Sequence, residues 1–370
     1  MQLYSRTLAM RRDARRILIV RPSALGDVCR SVPVLASLRA GFPNATIDWI
    51  VEDRWIDAVR AHPGLSNAIP FPKRRFRSVA WNPRVMVECA RWFRALHANR
   101  YDIVVDVQGL ARSGLMSLAT RARRRIASTQ AREFSWLAAT ERVATRIDDH
   151  VVDAMMRIAC AAGGGPGVDL RLAVPADGLQ DWHRLRERLG IRGRILVIAA
   201  ANRWEGKRWS AQRWREALVA LAPILVSNGI ESVLHIGARG EEAQVQSCVP
   251  ESIGAPAQDP RLTHHVVAGQ MSVAATMALI ADAALVLSLD SAAAHMAVGL
   301  SVPIVSLYGA SRPNIDGPYG QLRWCLHGGA GESLAARQHR DAAIGRVMMD
   351  RIQVSALVDL VSKRLAEPSA

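Results

Sequence analysis

The sequence lacks most of the motifs from which a function can be read directly. Its five cysteines, at positions 29, 89, 160, 248 and 325, are odd in number, scattered and never spaced C-x-x-C. That pattern excludes a disulfide framework and a zinc knuckle, and it points to reduced thiols in a reducing compartment. None of the ten histidines forms an H-x-x-x-H or H-E-x-x-H pair, and no acidic cluster has metal-ligand spacing, so neither a tightly held metal nor another cofactor is expected. Long hydrophobic runs are absent too. The windows Leu262–Ala281 and Ser291–Ser311 carry no Asp, Glu, Lys or Arg. His264, His265 and Gln270 interrupt the first, while His295, Gly299, Ser301 and Pro303 divide the second into a helix, a turn and a strand, so no membrane span is expected. Residues 1–15 are basic through Arg6, Arg11, Arg12 and Arg15 but have no apolar stretch or cleavage site, and read as a frayed arm rather than a signal peptide.

Negative charge is scarce. The chain has 33 acidic against 48 basic residues, a net charge of +15. Such a field favours an anionic partner, whether nucleic acid, a phosphorylated lipid surface or a nucleotide substrate. The 370 residues give room for two domains, and a composition that is 50% hydrophobic and 22% charged excludes global disorder.

Two stretches begin almost identically, Arg16-Ile17-Leu18-Ile19-Val20 and Arg194-Ile195-Leu196-Val197-Ile198, each an apolar run suited to a parallel strand buried on both faces. After the first, the pattern predicts a helix over Asp27–Ala40, a strand at Ile47–Val51, a helix at Val85–Ala98 and a strand at Ile103–Val107. After the second it predicts a helix over Ser210–Val226, a strand at Val233–Ile236, a helix at Ser272–Ala281 and strands at Leu285–Leu289 and Ile304–Leu307. Such alternation gives an α/β fold of two Rossmann-like domains. The expected boundaries are 16–175 for the first, 176–192 for a linker after the Gly163–Gly167 cluster, 193–350 for the second, and 351–370 for a terminal helix built on the amphipathic stretch Ile352–Leu365.

Open parallel sheets bind ligands at the carboxyl ends of their strands. The turn after the first strand holds Ser23, Gly26 and Asp27; one glycine does not make a dinucleotide fingerprint. Asp27 has two readings, a helix-start acid or a general base. The loop Asn202–Trp209 is not a P-loop, because Ala201 and Arg208 stand where glycine and Ser/Thr are required. Its Lys207 and Arg208 are either solvated or placed to meet a phosphate. Asp290-Ser291 with His295 opens a helix and reads either as a capped core helix or as a phosphate site. Glu241, in a glycine-bearing turn, is a weak candidate for a ribose contact, and Lys73-Arg74-Arg75-Phe76-Arg77 is a basic cluster with either a solvated or an anion-binding role.

Taken in order, Ser23-Ala24-Leu25-Gly26-Asp27-Val28, Asp48-Trp49-Ile50-Val51-Glu52, Asp106-Val107-Gln108-Gly109-Leu110, Lys207-Arg208-Trp209 and Asp290-Ser291 with His295 resemble the ADP-heptose:lipopolysaccharide heptosyltransferases of glycosyltransferase family 9. The second and third stretches tilt the likeness toward members that add the first heptose. The resemblance spans about Arg16 to Leu360. It implies a GT-B fold, two Rossmann-like domains facing across a cleft, and an inverting, metal-independent transfer of heptose from ADP-heptose to a Kdo residue of Kdo-lipid A. It implies that Asp27 is the catalytic base and that Lys207 acts on the donor phosphates. Ser23, Asn202, Glu241, Met271, Asp290, Ser291 and His295 would be donor contacts, and Arg74, Arg77 and Arg132 acceptor contacts. It implies a cytoplasmic enzyme peripheral on the anionic inner membrane, with no nucleic-acid partner. Two departures stand out: Ala292 follows Ser291 where the family usually has glycine, and Asn202-Arg203 replace hydroxyl residues of the donor loop. These leave open a relative with another nucleotide-sugar donor or a later core acceptor; a non-catalytic basic nucleic-acid- or membrane-binding protein is the alternative of another class.

Overall fold

The computed structural model describes residues 14–250, 261–332 and 341–367. Residues 1–13 of the expected arm, with Arg6, Arg11 and Arg12, lie outside the described residues. The chain divides into two compact units, Met1–Ala173 and Val174–Ala370.

The first unit is a six-stranded parallel sheet of β1 (Arg16–Val20), β2 (Thr46–Glu52), β3 (Asn67–Phe71), β4 (Ile103–Asp106), β5 (Arg124–Ser128) and β6 (Glu141–Val143), in the order β3-β2-β1-β4-β5-β6. Its helices are α1 (Leu25–Cys29), α2 (Val32–Gly41), α3 (Pro83–Ala98), α4 (Ala111–Ala119) and α5 (Val151–Ala162). Residues 17–20 of β1 are buried without exception, as a strand covered on both faces requires. The single helix expected over Asp27–Ala40 is instead two, α1 and α2, separated by Arg30 and Ser31. Pro33 lies in the first turn of α2, where its missing N–H costs nothing; within one continuous helix it would have removed a hydrogen bond.

The second unit repeats the design with β7 (Arg194–Ala199), β8 (Ile230–His235), β9 (Thr263–Val266), β10 (Leu285–Leu289), β11 (Ile304–Tyr308) and β12 (Cys325–His327), in the order β12-β11-β10-β7-β8-β9. Its helices are α6 (Ala176–Arg188), α7 (Ala211–Ser227), α8 (Glu242–Ser247), α9 (Val273–Ala281), α10 (Ala292–Gly299), α11 (Pro313–Asp316), α12 (Ala342–Asp350) and α13 (Val354–Ala366). The segment 176–192, expected as a linker, is largely α6, and it belongs to the second unit. A Cβ on Gly178 would lie 2.5 Å from the Ala274 carbonyl carbon, so glycine lets α6 press against α9. Trp182 is buried and donates through Nε1 to Asp282 Oδ2 at 2.9 Å. With only Gly178, Trp182 and Leu185 buried, the apolar stripe of α6 is too narrow for its periodicity to register in the sequence.

Candidate functional site

In each sheet the strand order reverses beside the central strand, between β1 and β4 and between β7 and β10. Loops diverge there, leaving a crevice at the strand ends. Of the residues singled out from sequence, Ser23 and Asp27 follow β1, and Asn202, Lys207, Asp290, Ser291 and His295 follow β7 and β10, at those positions; Arg74, Arg77, Arg132, Glu241 and Met271 follow other strands.

In the first unit, Asp27 sits in α1 directly after β1. Its Oδ2 accepts from the Ala24 N–H at 3.0 Å, the local helix-start role. Its Oδ1 lies 3.1 Å from Arg21 Nη2 and 2.5 Å from Arg30 Nη2. One oxygen thus holds the turn, as the helix-start reading has it, and the other is held by two guanidiniums. Arg21 is only 7% exposed; burial pulls its pKa down and the Asp27 charge opposes that. Its Nη1 donates to the Val107 carbonyl. Val20 pairs with Asp106 across β1 and β4, bringing a second buried carboxylate alongside. Asp106 accepts from the N–H groups of Gln108 and Gly109 at 2.9 and 3.0 Å, and burial pushes its pKa up against those hydrogen bonds. Ser23 is half-buried, and its N–H donates to Gln108 Oε1 at 3.2 Å. Arg21, Arg30, Asp106 and Gln108 carried no role in the sequence reading; the available signals were an arginine closing a strand and another three residues after Asp27.

The basic cluster sorts itself by partner. Lys73 pairs with the buried Glu52, which Arg54 also reaches at 2.8 Å, and Arg75 pairs with Glu88 at 2.8 Å. Burial pushes Glu52 upward, but the two cations hold it below the usual carboxylate range. Phe76 packs edge-on against Phe71 with centroids 5.7 Å apart. Arg74 and Arg77 are exposed like Arg75 but, unlike it, have no side-chain hydrogen bond or ion pair among the described residues. Arg132 is likewise exposed, its backbone N–H donating to Gly109 O at 2.9 Å, which ties it to the loop after β4.

In the second unit, Lys207 Nζ lies 2.5 Å from Asp290 Oδ2, joining the loop after β7 to the end of β10. Asn202 is buried; its Nδ2 donates to Asp290 O at 2.8 Å and its Oδ1 accepts from the Trp204 N–H at 2.9 Å. Expected as a donor contact, it has both ends of its amide engaged, one within the loop and one on the Asp290 carbonyl. Ser291 is the N-cap of α10 yet makes no side-chain capping bond; its hydroxyl lies 2.8 Å from Ser288 Oγ. The first N–H groups of α10 are left without a side-chain cap, the condition under which a helix start takes an anion. His295 is 8% exposed within α10. Glu241 Oε2 accepts from the Ala238 N–H at 2.8 Å in the turn after β8, and Met271 is half-buried in the turn after β9. These residues thus occupy the carboxyl ends of four adjacent strands. The Lys207 loop is seated from behind by α12: a Cβ on Gly345 would lie 2.3 Å from the Gly206 carbonyl oxygen, and Arg346 pairs with Glu205 at 3.2 Å. Sequence reading gave Gly345 no role. Among the described residues no group of three His, Cys, Asp or Glu side chains is placed to hold a metal, and no helix is long and apolar enough to cross a membrane.

Residues 89–343 match the model of glycosyltransferase family 9 (heptosyltransferase), more than half of the chain. The chain belongs to glycosyltransferase family 9. It is 26% identical over 315 residues to lipopolysaccharide heptosyltransferase 1 of Escherichia coli K12, covering 83% of this chain and 91% of that protein. It is 27% identical over 318 residues to the Pseudomonas aeruginosa protein of the same name, covering 83% and 82%. Lipopolysaccharide heptosyltransferase 3 of Escherichia coli matches at 25% over 295 residues, covering 77% and 81%. Among solved structures, the family 9 glycosyl transferase of Veillonella parvula superposes with a TM-score of 0.78 at 20% identity, covering 96% of this chain and 98% of that one. The Escherichia coli heptosyltransferase WaaC with ADP gives 0.69 at 22% identity, covering 94% and 99%. The shared fold is GT-B, and the chain is a glycosyltransferase of the heptosyltransferase family.

Proposed function

We propose that this family 9 enzyme transfers heptose from ADP-heptose to a Kdo residue of Kdo-lipid A in lipopolysaccharide inner-core synthesis, with inversion and without a metal. The observation that carries this reading is the ammonium of Lys207 at the uncapped start of α10, at the reversal point of the second sheet. Leaving ADP gains negative charge on its phosphate, and a fixed ammonium beside oriented N–H groups stabilises that charge as it develops. In the transfer, a Kdo hydroxyl oxygen bonds to the anomeric carbon as the bond from that carbon to ADP oxygen breaks. The hydroxyl proton passes to Asp27 and the electron pair leaves with ADP.

Glu241 is assigned to the ribose and Met271 to the adenine side, with Asp290, Ser291 and His295 forming the donor segment, and Ser23 of the first unit is assigned as a further donor contact. Arg74, Arg77 and Arg132, exposed and uncommitted, are assigned to the acceptor's phosphates and carboxylates. The Escherichia coli relative named heptosyltransferase 1 matches more of this chain, 83%, than the one named heptosyltransferase 3, 77%, which supports the first-heptose reaction. A membrane-borne acceptor puts the enzyme at the cytoplasmic face of the inner membrane.

The deciding assay measures ADP release from ADP-heptose with Kdo-lipid A, against other nucleotide sugars and against acceptors that already carry heptose. The expected outcome is turnover with ADP-heptose and Kdo-lipid A, undiminished by chelator. Turnover confined to another donor would assign Ala292 a role in donor choice and overturn the sugar proposed here; turnover only on heptosylated acceptors would move the enzyme to a later core step.

A further inference from the structure

Helix α4 of the first unit has its faces reversed. Ser113, Gly114, Met116 and Ser117 point inward, while Leu115 and Leu118 are 60% and 50% exposed. The inward hydroxyls are satisfied within the helix, Ser113 Oγ donating to Leu110 O at 2.8 Å and Ser117 Oγ to Ser113 O at 2.9 Å. Gly114 admits the turn Ser135–Ala138 against the helix, since a Cβ there would lie 3.0 Å from Ser135 Cα. That turn displays Phe134 and Leu137, 75% and 66% exposed, and carries Trp136 with the Arg142 guanidinium 5.5 Å from its ring. Phe134 has a φ of 58°, an uncommon conformation for a bulky residue, and gains no burial from it. Single exposed apolar residues need no explanation, but a patch built from two packed elements does.

The charge around the patch is mainly positive: its nearest acids are Glu133, exposed beside Phe134 and accepting from the Ala111 N–H, and Glu141, paired with Arg124. From Val107 to Arg132 the chain contains no Asp or Glu, and Arg112, Arg121 and Arg123 make no ion pair among the described residues. We propose that this face of the first unit docks on an anionic phospholipid bilayer, with Leu115, Leu118, Phe134 and Leu137 entering the headgroup boundary and the arginines meeting lipid phosphates. Exposed apolar anchors in a segment rich in arginine are the chemistry of interfacial binding. A second copy of the same face would set arginine against arginine, and an acidic protein surface would not call for exposed leucine and phenylalanine. The inference deepens the reading of a membrane-borne acceptor and rests on it for its purpose.

The test is co-sedimentation of the full chain with vesicles of phosphatidylglycerol and phosphatidylethanolamine, free of Kdo and of donor, alongside phosphatidylcholine vesicles. The wild type should pellet with the anionic vesicles and bind the zwitterionic ones at least tenfold more weakly. Leu115→Ser, Leu118→Ser and Leu137→Ser combined should lower anionic-vesicle binding at least tenfold while leaving ADP release with a water-soluble Kdo acceptor unchanged. Arg121→Gln with Arg123→Gln leaves the apolar residues in place and should cost roughly fivefold per arginine; this variant keeps the test decisive if the triple serine variant does not fold. Wild type remaining in the supernatant, or both variants binding as wild type, overturns the proposal. Lipid-independent dimerisation abolished by the serine variant would overturn it in favour of a second copy. Vesicle binding without heptosyl transfer would leave the docking face standing and refute the proposed reaction instead.

Discussion

In the first unit the loop after the central strand holds a carboxylate, Asp27, against two guanidiniums; in the second, the corresponding loop holds an ammonium, Lys207, against one carboxylate. The strand order is the same in both, so the sheet supplies the location and the loops supply the sign of the charge. The surrounding fields differ as well. Met1–Ala173 contains 28 basic and 15 acidic residues, a net of +13, whereas Val174–Ala370 contains 20 and 18, a net of +2. Nearly all of the excess positive charge belongs to the unit assigned to the acceptor. A nucleotide sugar needs one or two fixed cations, and the second unit has them without a basic surface. A large anionic partner is drawn by a broad field, and the first unit provides it.

This contrast can be broken from either side. Asp27→Ala should lower the rate of ADP release by about 10²–10⁴ while donor binding, measured by calorimetry with ADP, changes little. Unchanged turnover would remove Asp27 from the chemistry. Lys207→Ala should do the reverse, weakening ADP binding and lowering kcat/KM by about 10²–10³, with acceptor binding retained. Gly345→Val sharpens the comparison without touching a charge. It should force the Lys207 loop outward, cost about 1–3 kcal/mol of stability in thermal unfolding and raise the donor KM, leaving acceptor KM near wild type.

The smallest effect is one of pH. His235 Nε2 and His264 Nδ1 lie 3.0 Å apart, and burial pulls His235 down to about 3 and His264 to about 4 from an ordinary 6.5. In the unfolded chain both take up protons near pH 6.5 while the folded chain does not. Their contribution is therefore complete above that pH and is lost progressively as pH falls toward 4. Each histidine adds about 1.4 kcal/mol per pH unit to that loss within the window. His235→Leu should flatten the decline between pH 6 and 5 by about one histidine's share in denaturant unfolding. A slope equal to wild type would refute the assignment.

The strands buried on both faces were legible because their apolar runs are unbroken: Ile17–Val20 and Ile195–Ala199 are wholly buried in the structure. Outer strands were not. β6 spans Glu141-Arg142-Val143 and β9 Thr263–Val266, both half-covered and too polar for an apolar run. Helix α6 was hidden by its polarity, and the break between α1 and α2 was marked only by Pro33. At the site, Asp27, Lys207 and Asp290 could be named because charged residues at strand ends are conspicuous. Their partners could not. Arg21 is an arginine among many until burial singles it out, and Gly345 acquires meaning only from the Gly206 carbonyl behind it. For Asn202 the sequence could not show that its amide already bonds the Trp204 N–H within its loop and the Asp290 carbonyl across from it.

The Lys207–Asp290 contact also bears on what the second unit ignores. With its nearest carboxylate 2.5 Å away, the ammonium is already partly neutralised, so an anion arriving there competes with Asp290 for it. A nucleotide diphosphate arrives with a base, a ribose and two phosphates and can make that exchange worthwhile. On the donor assignment proposed for Lys207, the pair would set a threshold that a nucleotide diphosphate meets more readily than a lone inorganic phosphate.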